Sequence, residues 1–283
     1  MRYLLLLLLL FNPAYAQQLL PVDCNTLFIC VDSGTYNSLF SNKYIKDTLC
    51  ICRESATTTN EEGYTGKYMI GKAATLEWFA PNKNGKFGDH YGDIGIELKT
   101  RQIGQLAALH RKARTTHTAV DTTTTFIADS AGNIPWYSTL TTYGQPTNLQ
   151  LTNIEYVKEY LEYLGFSQAE ISSPMDYATF NNHLSQGKPY PRQFSHIASV
   201  TISITSKHLD QIRPFFALNN FKENDHFFSN AQFAVKYLID EHVDKVEVQQ
   251  IDLILLSDQG RRIISLPHIK VSINGKQATF KFY

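Results

Sequence analysis

Apolar and polar positions alternate along most of the chain with period two, in short runs broken by Gly-, Asn- and Thr-rich turns; helical periodicity is confined to a few stretches. Thr26 to Val31 reads as a strand, Asp32-Ser33-Gly34 as a turn or helix cap, and Thr35 to Leu49 as a helix carrying Tyr36, Leu39, Phe40 and Tyr44 on one side. Cys50 to Thr59 is extended, Gly63 to Gly66 a turn, and Tyr68 to Phe79 one or two strands bent at Gly71. A glycine-rich loop then leads into a strand at Asp93 to Leu98 and a helix at Gln102 to Arg114. The C-terminal third follows a similar course. His196 to Thr205 alternates strongly, Ser206 opens a helix that Pro214 should interrupt, and Val246 to Leu256 is one long strand or a pair. Arg261 to Leu266 is a strand, and Asn274-Gly275 centres a hairpin over His268 to Tyr283. Between the two parts, a polar β-prone stretch leads to an expected amphipathic helix at Thr152 to Gly165, with Tyr156, Tyr160 and Tyr163 near one face. A second helix is expected at Met175 to Leu184.

The two ends superpose as a repeat. Leu27 to Ser33 falls on Val200 to Ser206, and Leu76-Glu77-Trp78-Phe79 then falls on Ile251-Asp252-Leu253-Ile254, which puts a carboxylate at the same place in both copies. Alternation sets Thr75, Glu77 and Phe79 on one face and Leu76 and Trp78 on the other. With Leu76 and Trp78 in the core, Glu77 faces solvent or a groove, and the neighbouring Phe79 favours the groove. Glu77 is then either a structural carboxylate or a ligand or catalytic group. His90 and Asp93 flank the glycine-rich loop, where functional side chains concentrate, and offer an acid–base pair; a solvated loop histidine is the plainer alternative.

Composition narrows the classes. With 26 basic and 26 acidic residues the formal charge is zero, so no nucleic-acid partner is indicated. Arg2, the apolar run Leu4 to Phe11 and Ala14-Tyr15-Ala16 form a signal peptide over residues 1–16, too short to span a bilayer. The expectation is cleavage before Gln17, export to the periplasm or medium, and no membrane association afterwards. Cys24, Cys30, Cys50 and Cys52 allow three disulfide pairings in an oxidising compartment; disulfides or buried thiols are favoured over a zinc site. No Gly-x-Ser-x-Gly, His-Glu-x-x-His or glycine-rich phosphate loop occurs, leaving hydrolase, kinase and dinucleotide chemistry without support.

A strand–helix–three-strand unit present twice resembles the glyoxalase-like, or vicinal oxygen chelate, architecture. More narrowly, FICVDSGTYNSL at 28–39, YTGKYMIGKAATLEWFAP at 64–81 and GDHYGDIGIEL at 88–98 resemble an uncharacterised family of exported bacterial glyoxalase-like proteins. The resemblance implies an α+β fold in which two βαβββ-type modules, residues 17–114 and 195–283, form a curved mixed sheet around a pocket. Residues 115–194 would be a helical insert, either a lid or a packing element. In metal-dependent members of the superfamily the first strand of a module gives a His or Glu and the last a Glu, together holding one divalent metal as a Lewis acid. The corresponding set here would be Glu77, His196, Asp252 and Asp32, although the first strand carries no histidine. Two functions follow as expectations: binding of a small molecule in a pocket between the modules, or a metal-dependent lyase, isomerase or dioxygenase reaction. In both, no nucleic acid is a partner.

Overall fold

Each strand-like run finds a hydrogen-bonded neighbour, and the neighbours assemble into two sheets. The computed structural model describes residues 19–59, 63–83, 86–129 and 132–283; the expected signal peptide lies outside the described residues. β1 (Asp23–Cys30), α1 (Ser33–Ser38), β2 (Ile51–Thr58), β3 (Gly63–Ile70) and β4 (Thr75–Phe79) make one βαβββ unit. β5 (Ile94–Lys99), α2 (Gln105–Thr115), β6 (Val120–Asp129), β7 (Gly132–Thr142) and β8 (Leu149–Tyr156) make the next. β1 and β5 pair antiparallel in the middle, and β4 and β8 flank them in parallel. The order of this first sheet is β2-β3-β4-β1-β5-β8-β7-β6. Its ends come round to meet at a bridge between Thr59 and Ile127, which curls the sheet into a nearly closed barrel.

Three helices, α3 (Lys158–Tyr163), α4 (Gln168–Ile171) and α5 (Tyr177–Leu184), lead to the second sheet. There β9 (Phe194–Ile204), α6 (Ser206–Leu218), β10 (Lys222–Asn224), β11 (Phe227–Ser229) and β12 (Ala234–Ile239) repeat the unit. β13 (Glu247–Leu255), β14 (Arg261–Ser265), β15 (Ile269–Asn274) and β16 (Gln277–Phe282) repeat it without the helix, so β16 returns antiparallel to β13. The order β10-β11-β12-β9-β13-β16-β15-β14 matches that of the first sheet position for position. The repeat extends to the helix caps. Asp32 accepts from the Thr35 N–H at 2.9 Å, and Thr205, its partner in the superposition, accepts from the His208 N–H at 3.1 Å.

The sheets share one core. Leu27, Leu76, Trp78 and Ile96 of the first lie in one cluster with Val200, Ile202, Val235 and Phe280 of the second, and the Trp78 ring is 5.9 Å from Phe280. Two buried asparagines fasten the halves. The side-chain amides of Asn153 (β8) and Asn219 (at the end of α6) exchange hydrogen bonds at 2.7 and 3.0 Å. Asn148 bonds the Val246 carbonyl at 2.7 Å and accepts from its N–H at 3.1 Å.

The α+β architecture of βαβββ units in curved mixed sheets is thus observed, with two units in each sheet. Several elements differ from their expected form. Residues 115–194 are not only helical: β6, β7 and β8 complete the first sheet before the helices begin. The expected helix at Thr152 to Gly165 is strand as far as Tyr156. Both faces of β8 are covered, Leu149 and Leu151 lying in the core and Tyr156 against the aromatic cluster of α3 and α5, so its apolar spacing loses the period of two. The expected helix at Thr35 to Leu49 breaks into α1, a 3₁₀ turn at Leu39–Ser41 and a π turn at Ile45–Leu49; Asn42 is extended, and its side chain caps the Ile45 N–H at 3.2 Å. Gly63 to Gly66 belongs to β3 rather than to a turn. Pro214 does not end α6. Loss of a hydrogen bond inside a helix costs about 3 kcal/mol, whereas burying Phe215 and Phe216 completely returns roughly 1.5–3 kcal/mol each. The four cysteines are free thiols, with Cys50 and Cys52 Sγ atoms 3.7 Å apart.

Candidate functional site

Curling the first sheet creates an inner surface that the core does not fill. The outer face of β4 buries Leu76 and Trp78 completely, and alternation turns Thr75, Glu77 and Phe79 inward. On β5, Ile94, Ile96 and Leu98 go to the core, while Gly95 and Glu97 face inward. Gly95 has to lack a side chain, because the Phe28 ring lies across it where a Cβ would stand. Phe28 in turn packs edge-on against Phe79 and Phe87.

What remains is a cavity of about 430 Å³. Glu77 and Glu97 lie on its floor, with Asn25 and Thr26 of β1 between their strands. β2 and β3 contribute Arg53, Tyr64 and Tyr68. The opposite wall is aromatic. Trp136 and Tyr137 are 4.8 Å apart, Trp136 and Tyr160 6.1 Å, Tyr156 and Phe180 4.8 Å, and Tyr177 and Phe180 5.7 Å. Tyr160 belongs to α3 and Tyr177 and Phe180 to α5, so the connecting helices form one side of the cavity. α5 is fixed there by Tyr177 beside the Thr75 hydroxyl at 3.4 Å and by Asn181 on the Lys72 carbonyl at 3.0 Å.

The floor is electrostatically unusual. Burial pushes Glu97 up to about 7, against a hydrogen bond from the Thr26 hydroxyl that favours its anion. Burial, and then the charge of Glu97, raise Glu77 well above the ordinary carboxylate range. Two interacting acids of this kind titrate as a pair and keep a proton near neutrality. No cation offsets them: Arg53 is exposed, and among the described residues it is the single basic side chain of the lining. Lys99 follows on β5, but its ammonium bonds the Thr100 and Met175 carbonyls at 2.9 and 3.0 Å, and burial brings it down to about 8. The Asn25 side-chain carbonyl is buried at the cavity without a hydrogen-bond partner.

Of the residues singled out in the sequence, only Glu77 lies here. Asp93 is buried and holds its own loop, accepting from the Gly88 and His90 N–H groups at 2.8 and 3.1 Å; His90 is exposed 3.4 Å from it. Asp32 caps α1 and lines a separate cavity of about 230 Å³ between the two sheets, beside Lys245 and His268. His196 lines a third cavity with Asp176 and Gln232, its pKa lowered by burial. Asp252 is tied up on the second sheet by Ser199, Thr279 and Gln250 at 2.7–2.8 Å. The set Glu77, His196, Asp252 and Asp32 is therefore dispersed over four places.

The strand register also corrects the pairing of carboxylates. Glu77 stands opposite Phe28 on the strand parallel to β1; the equivalent position beside β9 is Lys236, opposite Thr201. Asp252 stands opposite Ser199 as Glu97 stands opposite Thr26. The counterpart of Asp252 is Glu97. In the second sheet this pair of positions is an ion pair, Lys236 to Asp252 at 3.4 Å; in the first it is two acids. Glu97, Asn25, Tyr64, Tyr68, Tyr137 and Tyr177 were not singled out in the sequence, and Tyr156 and Tyr160 only as one face of an expected helix. The alternation Ile94, Ile96, Leu98 against Gly95 and Glu97 was a signal for Glu97, whereas the tyrosine wall comes together only in three dimensions.

The resemblance to metal-dependent glyoxalase-like proteins implies His or Glu ligands from first and last strands. Here the first strands turn Asn25, Thr26 and Glu97 to the cavity, and the last strands Glu77, Ile154 and Tyr156. No histidine lines it, and among the described residues no group of three or more His, Cys, Asp or Glu side chains could hold a metal. With two carboxylates and no third ligand, the lining does not supply the ligand set that the resemblance implies.

Residues 24–282 match a family described as "Family of unknown function (DUF5829)". No curated protein matches the sequence. Among solved structures, a hypothetical protein from Staphylococcus aureus aligns over 87% of this chain and 96% of its own, with 12% identity and a TM-score of 0.54, a likeness of fold. The 2,3-dioxygenase LapB from Pseudomonas sp. KL28 aligns over 94% of this chain and 93% of its own, at 10% identity and a TM-score of 0.45. A Mn(II)-bound glyoxalase from Novosphingobium aromaticivorans aligns over 92% and 81%, at 10% identity and a TM-score of 0.45.

Proposed function

The chain belongs to the DUF5829 family of unknown function, and from that premise we propose that it is an exported protein that binds a small molecule inside its first sheet. The observation that carries this reading is the cavity of about 430 Å³, floored by Glu77 and Glu97 and walled by aromatic rings. Its size falls in the range of small-molecule sites, which are mostly apolar with a few placed polar groups. The unpaired Asn25 carbonyl supports it, since a buried acceptor without a partner costs about 1–3 kcal/mol and a polar ligand would relieve that. The cavity lies between the two units of the first sheet, not between residues 17–114 and 195–283 as expected from the sequence. Export rests on the residues 1–16 pattern.

Native mass spectrometry of the protein recovered after export, incubated with a metabolite extract, tests both parts. The expected spectrum shows a chain beginning at Gln17 carrying one retained small molecule, which is lost in a Ser55→Trp variant whose indole occupies the cavity. Retention that Ser55→Trp leaves unchanged would refute the site. A stoichiometric divalent metal lost in Glu77→Gln would instead favour the metal-dependent lyase, isomerase or dioxygenase.

A further inference from the structure

We infer that the ligand of the first-sheet cavity is a small organic cation, an amine or quaternary ammonium compound. This inference rests on the proposed cavity and names the class of its occupant.

Three observations converge on it. First, the floor presents two carboxyl groups that no basic side chain pairs with among the described residues. No hydrogen-bond donor or ion-pair partner reaches Glu77 among the described residues, and Glu97 receives only the Thr26 hydroxyl. The second sheet shows how the fold neutralises the same two positions when no ligand is needed, by putting Lys236 where the first sheet has Glu77. Substituting an acid for that lysine removes a positive charge and adds a second acid, so that the pair is still one positive charge short with one proton retained, and a ligand ammonium would occupy the vacated role. Second, the wall facing the acids consists of Trp136, Tyr137, Tyr156, Tyr160 and Tyr177, whose π-faces attract cations within about 6 Å of a ring centroid. Third, the acceptor left without a partner, the Asn25 carbonyl, is of the kind that receives an N–H from an amine. Carboxylates, ring faces and a carbonyl are all groups that stabilise positive charge, whereas a neutral polyol or an anion gains nothing from ionisation of the acids.

Binding of a cation also favours ionisation of the acids, so it releases a proton and strengthens as pH rises through about 7. The other titratable groups facing Glu77 and Glu97 are tyrosines 64, 68, 137, 156, 160 and 177 and the exposed Arg53; burial raises tyrosines 64, 68, 156, 160 and 177. None of these changes charge between about pH 5 and 8.

Trp136 in the wall reports on the site, since the other tryptophan, Trp78, is sealed in the core. Its fluorescence is titrated with benzyltrimethylammonium, with choline, with 1,4-diaminobutane, and with the neutral choline isostere 3,3-dimethylbutan-1-ol. The expected result is saturable binding of at least one cation, roughly tenfold or more tighter than the neutral alcohol, tightening from about pH 5 to pH 8. A Glu77→Gln, Glu97→Gln double variant, folded by circular dichroism, should lose that preference. Equal or better binding of the neutral isostere would overturn the inference and leave the cavity standing. Binding of no cation would overturn the inference as well; if Ser55→Trp also failed to displace a ligand retained from extract, the cavity would fall with it.

Discussion

Glu97 and Glu77 make the account testable one residue at a time. A carboxylate raised in the folded state leaves the native protein holding a proton that the unfolded chain has already lost. Below about pH 4.5 both states are protonated and nothing is gained or lost; as pH rises towards 7, stability falls, because the folded acid must ionise in a poor environment. Each unit of difference corresponds to about 1.4 kcal/mol, less here because Glu97 meets the open cavity and is not sealed in a core. Glu97→Gln should therefore melt higher than the native protein near pH 8, by about 2–4 °C per kcal/mol recovered, and the two should converge near pH 4.5. Thermal melts across that range check it, and a Glu97→Gln protein less stable at every pH would contradict it. At this scale the sequence was half legible. Alternation around Trp78 turns Glu77 to solvent or a groove, with Phe79 favouring the groove, but the repeat as read from the sequence sets it against Asp252 because β10, β11 and β12 leave little trace in the pattern. Lys222-Glu-Asn is three exposed polar residues with no hydrophobic signal, and without those strands the register slid from β12 to β13.

Elements were read best where one face is core and the other solvent. β9, β15 and β16 match their expected ranges closely, and α2 runs Gln105–Thr115, starting three residues after the expected Gln102. They were read worst where both faces are covered, as at β8, and where buried aromatics override a local rule, as at Pro214 in α6. β3 and β4 lie between β1 and β2, so Cys30, the last residue of β1, is about 14 Å from β2 across three strand spacings. A disulfide needs Cα atoms within about 7 Å. Peptide mapping of the oxidised protein should find no Cys30–Cys50 or Cys30–Cys52 bridge, and either one would contradict the strand order.

The whole molecule is one unit used four times, with two kinds of inner surface. In the first sheet the edges meet at Thr59 and Ile127 and the helices α3 and α5 wall one side, which produces a cavity; the second sheet fills the equivalent polar positions with its own ion pair. That division was not legible in the sequence, because it depends on how far each sheet curls and on which segment crosses its mouth, and both are set by contacts between residues far apart in the chain. A crystal structure of the protein grown with benzyltrimethylammonium tests the central claim most directly. The account predicts the ligand's ammonium between the Glu77 and Glu97 carboxylates and the Trp136 ring. Occupancy only in the cleft beside Asp32 and Lys245, or a metal ion on Glu77 in its place, would contradict it.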